Sequence, residues 1–124
     1  MPKLVRGRIV YPKVAVPDPQ GQNAKAGRPF VVISREEEIE KGATIQAVGI
    51  TGELMQSPAD HYVVLPYGPN AKTGLTQKSA ALSTWLIDIS ADKLDVGKGY
   101  VRADLLEEIV RKVLRLKAIP QSPG

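Results

Sequence analysis

The sequence contains no cysteine and a single histidine, and these two shortages exclude several kinds of site. Without cysteine, the chain has no disulfide, no thiolate nucleophile, no iron–sulfur cluster and no cysteine-based zinc site. One histidine, His61, cannot by itself build a histidine-rich metal site. We therefore expect a protein that works without a metal and without any other cofactor.

Long apolar runs are also missing. No stretch approaches the roughly 20 consecutive apolar residues that a membrane helix needs, and the first residues lack the apolar core of a signal peptide. With 124 residues, of which 43% are hydrophobic, the chain has the material for one core. We expect a soluble, cytoplasmic protein with a single domain over residues 1–119 and a flexible tail over residues 120–124.

Positive charge is concentrated near the start of the chain. Residues 1–28 have a net charge of +5, whereas residues 29–124 have a net charge of −1. A basic segment can bind phosphates and release their counterions, but the same charges on a solvated edge also serve simply to keep a protein soluble. Composition alone leaves both interpretations open.

Short β-branched and aromatic runs, separated by turn residues, predict a mostly β fold. The predicted strands cover residues 6–11, 29–34, 44–51, 61–66 and 78–89, with a short further strand over residues 98–102. Residues 12–28 are rich in proline, glycine and short polar side chains, which predicts a long mobile loop. The acidic residues 35–42 are expected to form a helical turn or a solvated loop.

The last periodic segment predicts one amphipathic helix. Asp104 and Glu107 have the spacing of a capping box at its start. The apolar residues that follow repeat at helical spacing and form one stripe, made of Leu105, Leu106, Ile109, Val110, Val113 and Leu114. We expect this helix to pack on the strands, so that the elements together form a small curled sheet or open barrel.

Several short motifs carry more information by their order than any of them carries alone. They are GRIVY at residues 7–11, Asp18-Pro19 with Gly21, AGRPFVVIS at residues 26–34, Gly49-Ile50-Thr51, TGL at residues 73–75 with Lys78-Ser79, and the helix ADLLEEIVRKVLRL. In this order and spacing, the motifs resemble those of the MazF/PemK toxin family. The resemblance extends from Arg6 to about Leu116.

The resemblance implies a fold and an activity. The fold would be mostly β with helices, namely an SH3-like small β-barrel of the CcdB/MazF/PemK type with a C-terminal helix. The activity would be that of a type II toxin, a homodimeric and metal-independent endoribonuclease (mRNA interferase) that cleaves single-stranded RNA. In that reaction the 2′-hydroxyl attacks the adjacent phosphate and leaves a cyclic phosphate and a 5′-hydroxyl. A cognate antitoxin would occupy the RNA groove.

Arg28 and Thr51 are the catalytic residues that the resemblance implies. A guanidinium offers several fixed donors to phosphate oxygens, and a hydroxyl offers one more. Without the resemblance, the same two residues would be interpreted as a loop-end arginine paired with a carboxylate and an ordinary strand threonine. The general base is unassigned, because arginine keeps its proton and His61 matches no catalytic position of the family.

Lys13, Lys25, Lys78 and Trp85 are the candidate RNA-binding residues. Trp85 stands in a position where many family members have a polar residue, and it could stack an RNA base, anchor the core or form a dimer contact. The loop over residues 12–27 is longer than is usual in the family, so its sequence preference does not carry over.

Two other functions remain open on the same fold. One is a non-catalytic, CcdB-like gyrase inhibitor. The other is a decayed toxin that acts only as a nucleic-acid-binding or protein-binding module.

Overall fold

A computed structural model of the chain describes residues 3–19, 21, 23–42, 44–53 and 58–118. The predicted tail, residues 120–124, lies outside these. The elements in chain order are β1 (Arg8–Pro12), β2 (Val16–Pro17), β3 (Ala24–Lys25), β4 (Phe30–Val32), α1 (Glu36–Glu40), β5 (Ile45–Thr51), β6 (Tyr62–Leu65), β7 (Ser79–Ile89), β8 (Leu94–Tyr100) and α2 (Ala103–Ala118).

Six of these strands form one antiparallel sheet in the order β6-β7-β5-β4-β1-β8, and β2 pairs with β3 as a separate two-stranded hairpin. Among the described residues the end strands β6 and β8 do not pair with each other, so the sheet is open rather than closed. The predicted fold class, mostly β with a C-terminal helix, is confirmed. Strand β1 lies inside the sheet, between β4 and β8, although it comes first in the chain.

Side chains alternate between two cores on opposite faces of the sheet. One core packs against Ile109 and Val113 of α2. The other contains Phe30 and Trp85, whose ring centroids lie 4.8 Å apart, together with Val16 of β2. Because both faces are buried, β4 and β5 consist of nearly continuous apolar residues rather than an alternating pattern.

Helix α2 packs on the sheet as predicted, with two differences. It begins at Ala103, so Asp104 lies in the first turn and not before the helix as the capping box requires. Arg102 Nε donates to Asp104 Oδ1 at 2.6 Å, and this bond holds the pKa of the Asp104 carboxyl below its ordinary value. Leu114, which sequence periodicity assigns to the buried stripe, is 60% exposed. No helix in the described part of the chain is long and apolar enough to cross a membrane.

Three strands differ from the sequence prediction. The segment predicted as a loop, residues 12–28, contains the β2–β3 hairpin. The last strand, β8, is longer and begins earlier than the predicted residues 98–102, because it pairs along β1 from Leu94 to Tyr100. Gly97 and Gly99 lower its intrinsic strand propensity, which hides it in the sequence. The predicted helical turn in residues 35–42 is present as α1.

Candidate functional site

Strands β4 and β5 bring Arg28 and Thr51 next to each other at one end of the sheet. The strands pair in an antiparallel register that continues beyond β4, where Ile50 N donates to Pro29 O at 3.0 Å. The next pair in this register is Arg28 opposite Thr51. Directly opposed residues of an antiparallel pair have Cβ atoms about 4.5–5.5 Å apart and lie on the same face. Two distant stretches of sequence are therefore combined into one site.

The hydroxyl of Thr51 is oriented by the chain that follows it. Thr51 Oγ1 accepts a hydrogen bond from Glu53 N at 3.1 Å. A hydroxyl can accept and donate at the same time, so this bond uses a lone pair and leaves the proton available. Thr51 can therefore donate to an anion in front of β5.

Both residues line a groove of about 1120 Å³. The groove lies on the face of the sheet that holds Phe30 and Trp85, because Arg28 is two residues before Phe30 and alternate residues of a strand share a face. Lys25 of the hairpin and Lys78, just before β7, also line it. The three cations suit a polyanionic ligand.

Carboxylates also line this groove, and one of them was not anticipated. They are Asp18, which belongs to the Asp18-Pro19 motif, and Glu53, which belongs to none of the motifs. Its only sequence signal is its place two residues after Thr51, which an ordinary solvated glutamate would share. The described residues contain no group of three or more histidine, cysteine, aspartate or glutamate side chains that could hold a metal ion.

Trp85 lies beneath Arg28. The Arg28 Cζ atom is 5.8 Å from the centroid of the Trp85 ring, within the range of a cation–π interaction. The indole Nε1 donates to Pro17 O at 3.0 Å, and only 5% of the residue is exposed. A residue buried to this degree has no free ring face on which an RNA base could stack. Of the sequence-based interpretations of Trp85, the structure therefore favours the core anchor.

Gly49 makes room for this ring. The β5–β7 register shifts between Val48 and Ile50, where residues 82–85 of β7 leave the regular ladder. Gly49 lies at that shift directly against the Trp85 ring, and a Cβ atom at position 49 would overlap the ring carbons. The glycine is therefore needed for close approach, and it explains the first position of the Gly49-Ile50-Thr51 motif.

Gly27 turns the chain from the hairpin into β4. Its φ angle is +78°, in the left-handed region that glycine adopts without strain. Gly27 N donates to Pro12 O at 2.9 Å, which fixes the turn against the end of β1. The glycine before Arg28 therefore sets the direction in which the arginine enters the groove.

Lys13 and His61 lie away from this site. Neither is among the residues that line the groove. Lys13 Nζ is 3.9 Å from Asp95 Oδ1 and donates to Asp92 O at 3.5 Å, on the side of β8. His61 ends the short turn before β6. The structure thus brings together Lys25, Arg28, Thr51, Lys78 and Trp85, and separates Lys13 from them.

Comparison with known proteins gives matches in structure only. No family model matches the sequence, and no curated protein matches it. MazF from Deinococcus radiodurans superimposes with a TM-score of 0.70 at 18% identity, over 96% of this chain and 100% of that chain.

Two complexes match similarly. An endoribonuclease in complex with its cognate antitoxin, from a mycobacterial species, gives a TM-score of 0.66 at 18% identity, over 96% of this chain and 99% of that chain. A MazE–MazF complex from Deinococcus radiodurans gives a TM-score of 0.64 at 18% identity, over 97% of this chain and 100% of that chain. At this identity the likeness shows the fold, and the fold of this chain is that of the MazF toxins.

Proposed function

We propose that this chain is the toxin of a type II toxin–antitoxin system and acts as an endoribonuclease on single-stranded RNA, without a metal. The observation that supports this most is that Arg28 and Thr51 line one groove together with Lys25 and Lys78. The chain also shares its fold with an endoribonuclease from a mycobacterial species. The donors of Arg28 and Thr51 suit one phosphate of an RNA strand, and the cations beside them suit the adjacent phosphates.

The proposed reaction is a transesterification within the RNA. A base takes the proton of the 2′-hydroxyl, whose oxygen forms a bond to the adjacent phosphorus, while the bond from phosphorus to the 5′-oxygen breaks and that oxygen takes up a proton from water. The products are a cyclic phosphate and a 5′-hydroxyl. Arg28 and Thr51 donate to the non-bridging oxygens, and these bonds strengthen as negative charge develops in the transition state.

Glu53 is the residue to which we assign the general base. Its backbone N–H is bonded to the Thr51 hydroxyl, which holds the residue beside the phosphate site, and its side chain lines the same groove. A carboxylate repels a polyanion, so its presence among the groove cations is explained if it accepts the 2′-hydroxyl proton. His61 does not line the groove and is not needed in this scheme.

Glu53→Gln tests this assignment. We expect the single-turnover cleavage rate to fall by about 10²-fold or more, because a positioned base contributes about that factor. Binding of a strand with 2′-deoxyribose at the cleavage site should be unchanged or tighter, because a negative charge is removed. RNA with a sulfur leaving group should not restore the rate, since sulfur bypasses only protonation of the leaving group. Glu40→Gln, on exposed α1, is the matched control, and a Glu53→Gln rate close to that of wild type would refute the assignment.

An antitoxin partner and a homodimer belong to the same proposal. Complexes of a MazF fold with its antitoxin are among the structures that this chain matches. An acidic segment of an antitoxin would compete with RNA for Lys25, Arg28 and Lys78. A cognate antitoxin added to the purified protein should therefore prevent RNA binding.

The experiment that decides the function is primer extension on a long RNA incubated with purified protein and a chelator. Discrete cuts with 5′-hydroxyl and cyclic-phosphate ends, in the chelator, are the expected result. Intact RNA combined with growth arrest and DNA breaks would indicate a CcdB-like gyrase inhibitor instead. Intact RNA without arrest would indicate a decayed binding module.

The groove cations also predict how the affinity for single-stranded RNA depends on salt concentration. Single-stranded binding weakens with a slope of about −0.7 in log–log salt plots for each phosphate neutralised, so three cations predict about −2 for wild type. Lys25→Ala and Lys78→Ala should each reduce the magnitude of the slope by about 0.7. Lys13→Ala should reduce it less, because Lys13 pairs with Asp95 outside the groove.

The measurement is the affinity for a fluorescent, non-cleavable strand from low to moderate salt. Lys41→Ala, at the end of α1, is the charge-matched control. A reduction of about 0.7 in the Lys41 variant, equal to that of the groove variants, would show that net charge, not the groove, governs binding.

A further inference from the structure

Trp85 is the single tryptophan of the chain, and its two ends contact different parts of the groove. The ring lies under the Arg28 guanidinium at 5.8 Å, and the indole N–H donates to Pro17 O at 3.0 Å. Arg28 belongs to the turn that enters the sheet, whereas Pro17 belongs to the β2–β3 hairpin. One side chain therefore contacts both the sheet and the hairpin side of the groove.

The hydrogen bond to Pro17 also locates Lys25. Pro17 pairs with Ala24 and Val16 pairs with Lys25 across the two-residue ladder of the hairpin. Val16 is buried in the same core as Trp85, whereas Lys25 is exposed and lines the groove. A hairpin with so short a ladder is marginally stable by itself. Its position depends on Val16 packing and on the indole bond.

The ring itself is held on both sides. Phe30 packs against it with ring centroids 4.8 Å apart and planes tilted by 60°, and Gly49 lies against its six-membered part. Since only 5% of Trp85 is exposed, the ring has little freedom to shift. The place of the guanidinium above the ring is thereby determined by the core and not by solvent-exposed contacts.

We propose that Trp85 is a positioning residue that fixes Lys25 of the hairpin relative to Arg28 of the sheet, so that the two cations match neighbouring phosphates of one bound strand. The inference rests on the proposed function for the identity of the ligand, an RNA strand. It assigns to Trp85 no contact with the reacting atoms. The indole N–H acts on binding through Lys25, and the ring face acts on the cleavage step through Arg28.

The variant Trp85→Phe separates the effect on binding from the effect on cleavage, because it removes the indole N–H and keeps an aromatic ring face. We expect the affinity for a strand with 2′-deoxyribose at the cleavage site to fall by about three- to tenfold, the value of one hydrogen bond. The single-turnover rate at saturating protein should change by less than about threefold, because phenylalanine still offers a ring to the guanidinium. A merely structural role would lower both quantities together.

A double-mutant cycle with Lys25→Ala tests the route through the hairpin. If the N–H acts by placing Lys25, the loss of affinity from Trp85→Phe should shrink or vanish in the Lys25→Ala background. Strictly additive losses would overturn the proposal. Tyr67→Phe, an exposed aromatic residue outside the groove, is the control.

Hydrogen exchange on the free protein keeps this inference separate from the proposed function. In Trp85→Phe the hairpin amides, such as Asp18 N, which donates to Asn23 O at 2.8 Å, should exchange faster than in wild type. The amides of β5 should be unchanged. If the wild type neither binds nor cuts RNA while the hairpin amides do respond, the proposed function fails and the indole link stands. If the hairpin amides do not respond, the inference fails whatever the RNA assays give.

A second variant guards against misfolding of Trp85→Phe. Biosynthetic replacement of Trp85 by benzothienylalanine exchanges the N–H for sulfur and keeps the shape of the ring. It should reproduce the loss of affinity and the faster hairpin exchange with a wild-type melting temperature. Wild-type affinity and exchange in this variant would overturn the proposal.

Discussion

Arg28→Ala is expected to lower the rate of RNA cleavage by about 10³-fold or more, because removal of a single preorganised donor from a developing oxyanion already costs about 10²–10³-fold. Arg28 offers several such donors and lines the groove together with Thr51. The measurement is the single-turnover rate with the protein in excess of the RNA and above the dissociation constant of the complex. Arg28→Lys is the informative companion, since it keeps the charge and loses the planar fork.

Thr51 supplies a matched pair of variants for the same reaction. Thr51→Val keeps the shape of the side chain and removes the hydroxyl, so we expect a loss of about 10²-fold. Thr51→Ser keeps the hydroxyl and its bond from Glu53 N, and it should retain most of the activity. Equal activities for the valine and serine variants, or full activity in Arg28→Ala, would contradict the proposed site. Induction of each variant in bacteria should restore growth in proportion to the lost rate.

Gly49→Ala is expected to produce a large loss of stability for a single added methyl group. A Cβ atom at this position would overlap the ring carbons of Trp85, which Phe30 holds from another side. Overpacking of this kind typically costs about 1–3 kcal/mol. Urea unfolding followed by far-ultraviolet circular dichroism measures the change, and this signal remains available in variants without Trp85, the only tryptophan.

A double variant distinguishes a clash from a general intolerance of β5 to substitution. Trp85→Leu leaves space above position 49, so the combined loss in Gly49→Ala with Trp85→Leu should be smaller than the sum of the single losses. Gly52→Ala, whose added Cβ would lie 3.3 Å from Lys78 O, is the milder control. Additive losses in the double variant would show that the ring is not the cause.

The elements that the sequence predicts well are those with a strong local pattern. β4 and β5 are continuous apolar runs, and α2 has a clear helical period as far as Val113. The β2–β3 hairpin has no such pattern, because two-residue strands depend on a contact with Trp85, 68 residues away in the chain. The full length of β8 is not predictable for a related reason. Gly97 and Gly99 lower the local strand propensity, and the strand forms because it pairs with the distant β1.

The candidate site shows the same division. Resemblance singled out Arg28 and Thr51, and the β4–β5 register explains how residues so far apart in sequence reach one groove. The support of Arg28 by Trp85 could not be predicted, because it depends on the bend of β7 at the shifted register. Lys13 lies outside the groove and near Asp95, which the basic composition of its segment does not indicate, and its role in RNA binding stays a prediction.

The position of β1 has a consequence for folding during synthesis. Arg28 enters the groove through Gly27, whose N–H is bonded to Pro12 of β1, and Pro12 pairs with Leu94 of β8. The turn that carries the arginine is therefore completed only when the late strand β8 has been made. Pairings between distant parts of a chain also form slowly, over about milliseconds to seconds in small β proteins. We expect the turn that carries Arg28 to stay unfolded until nearly the whole chain has been translated. Protease protection of stalled chains of increasing length would measure the length at which it folds.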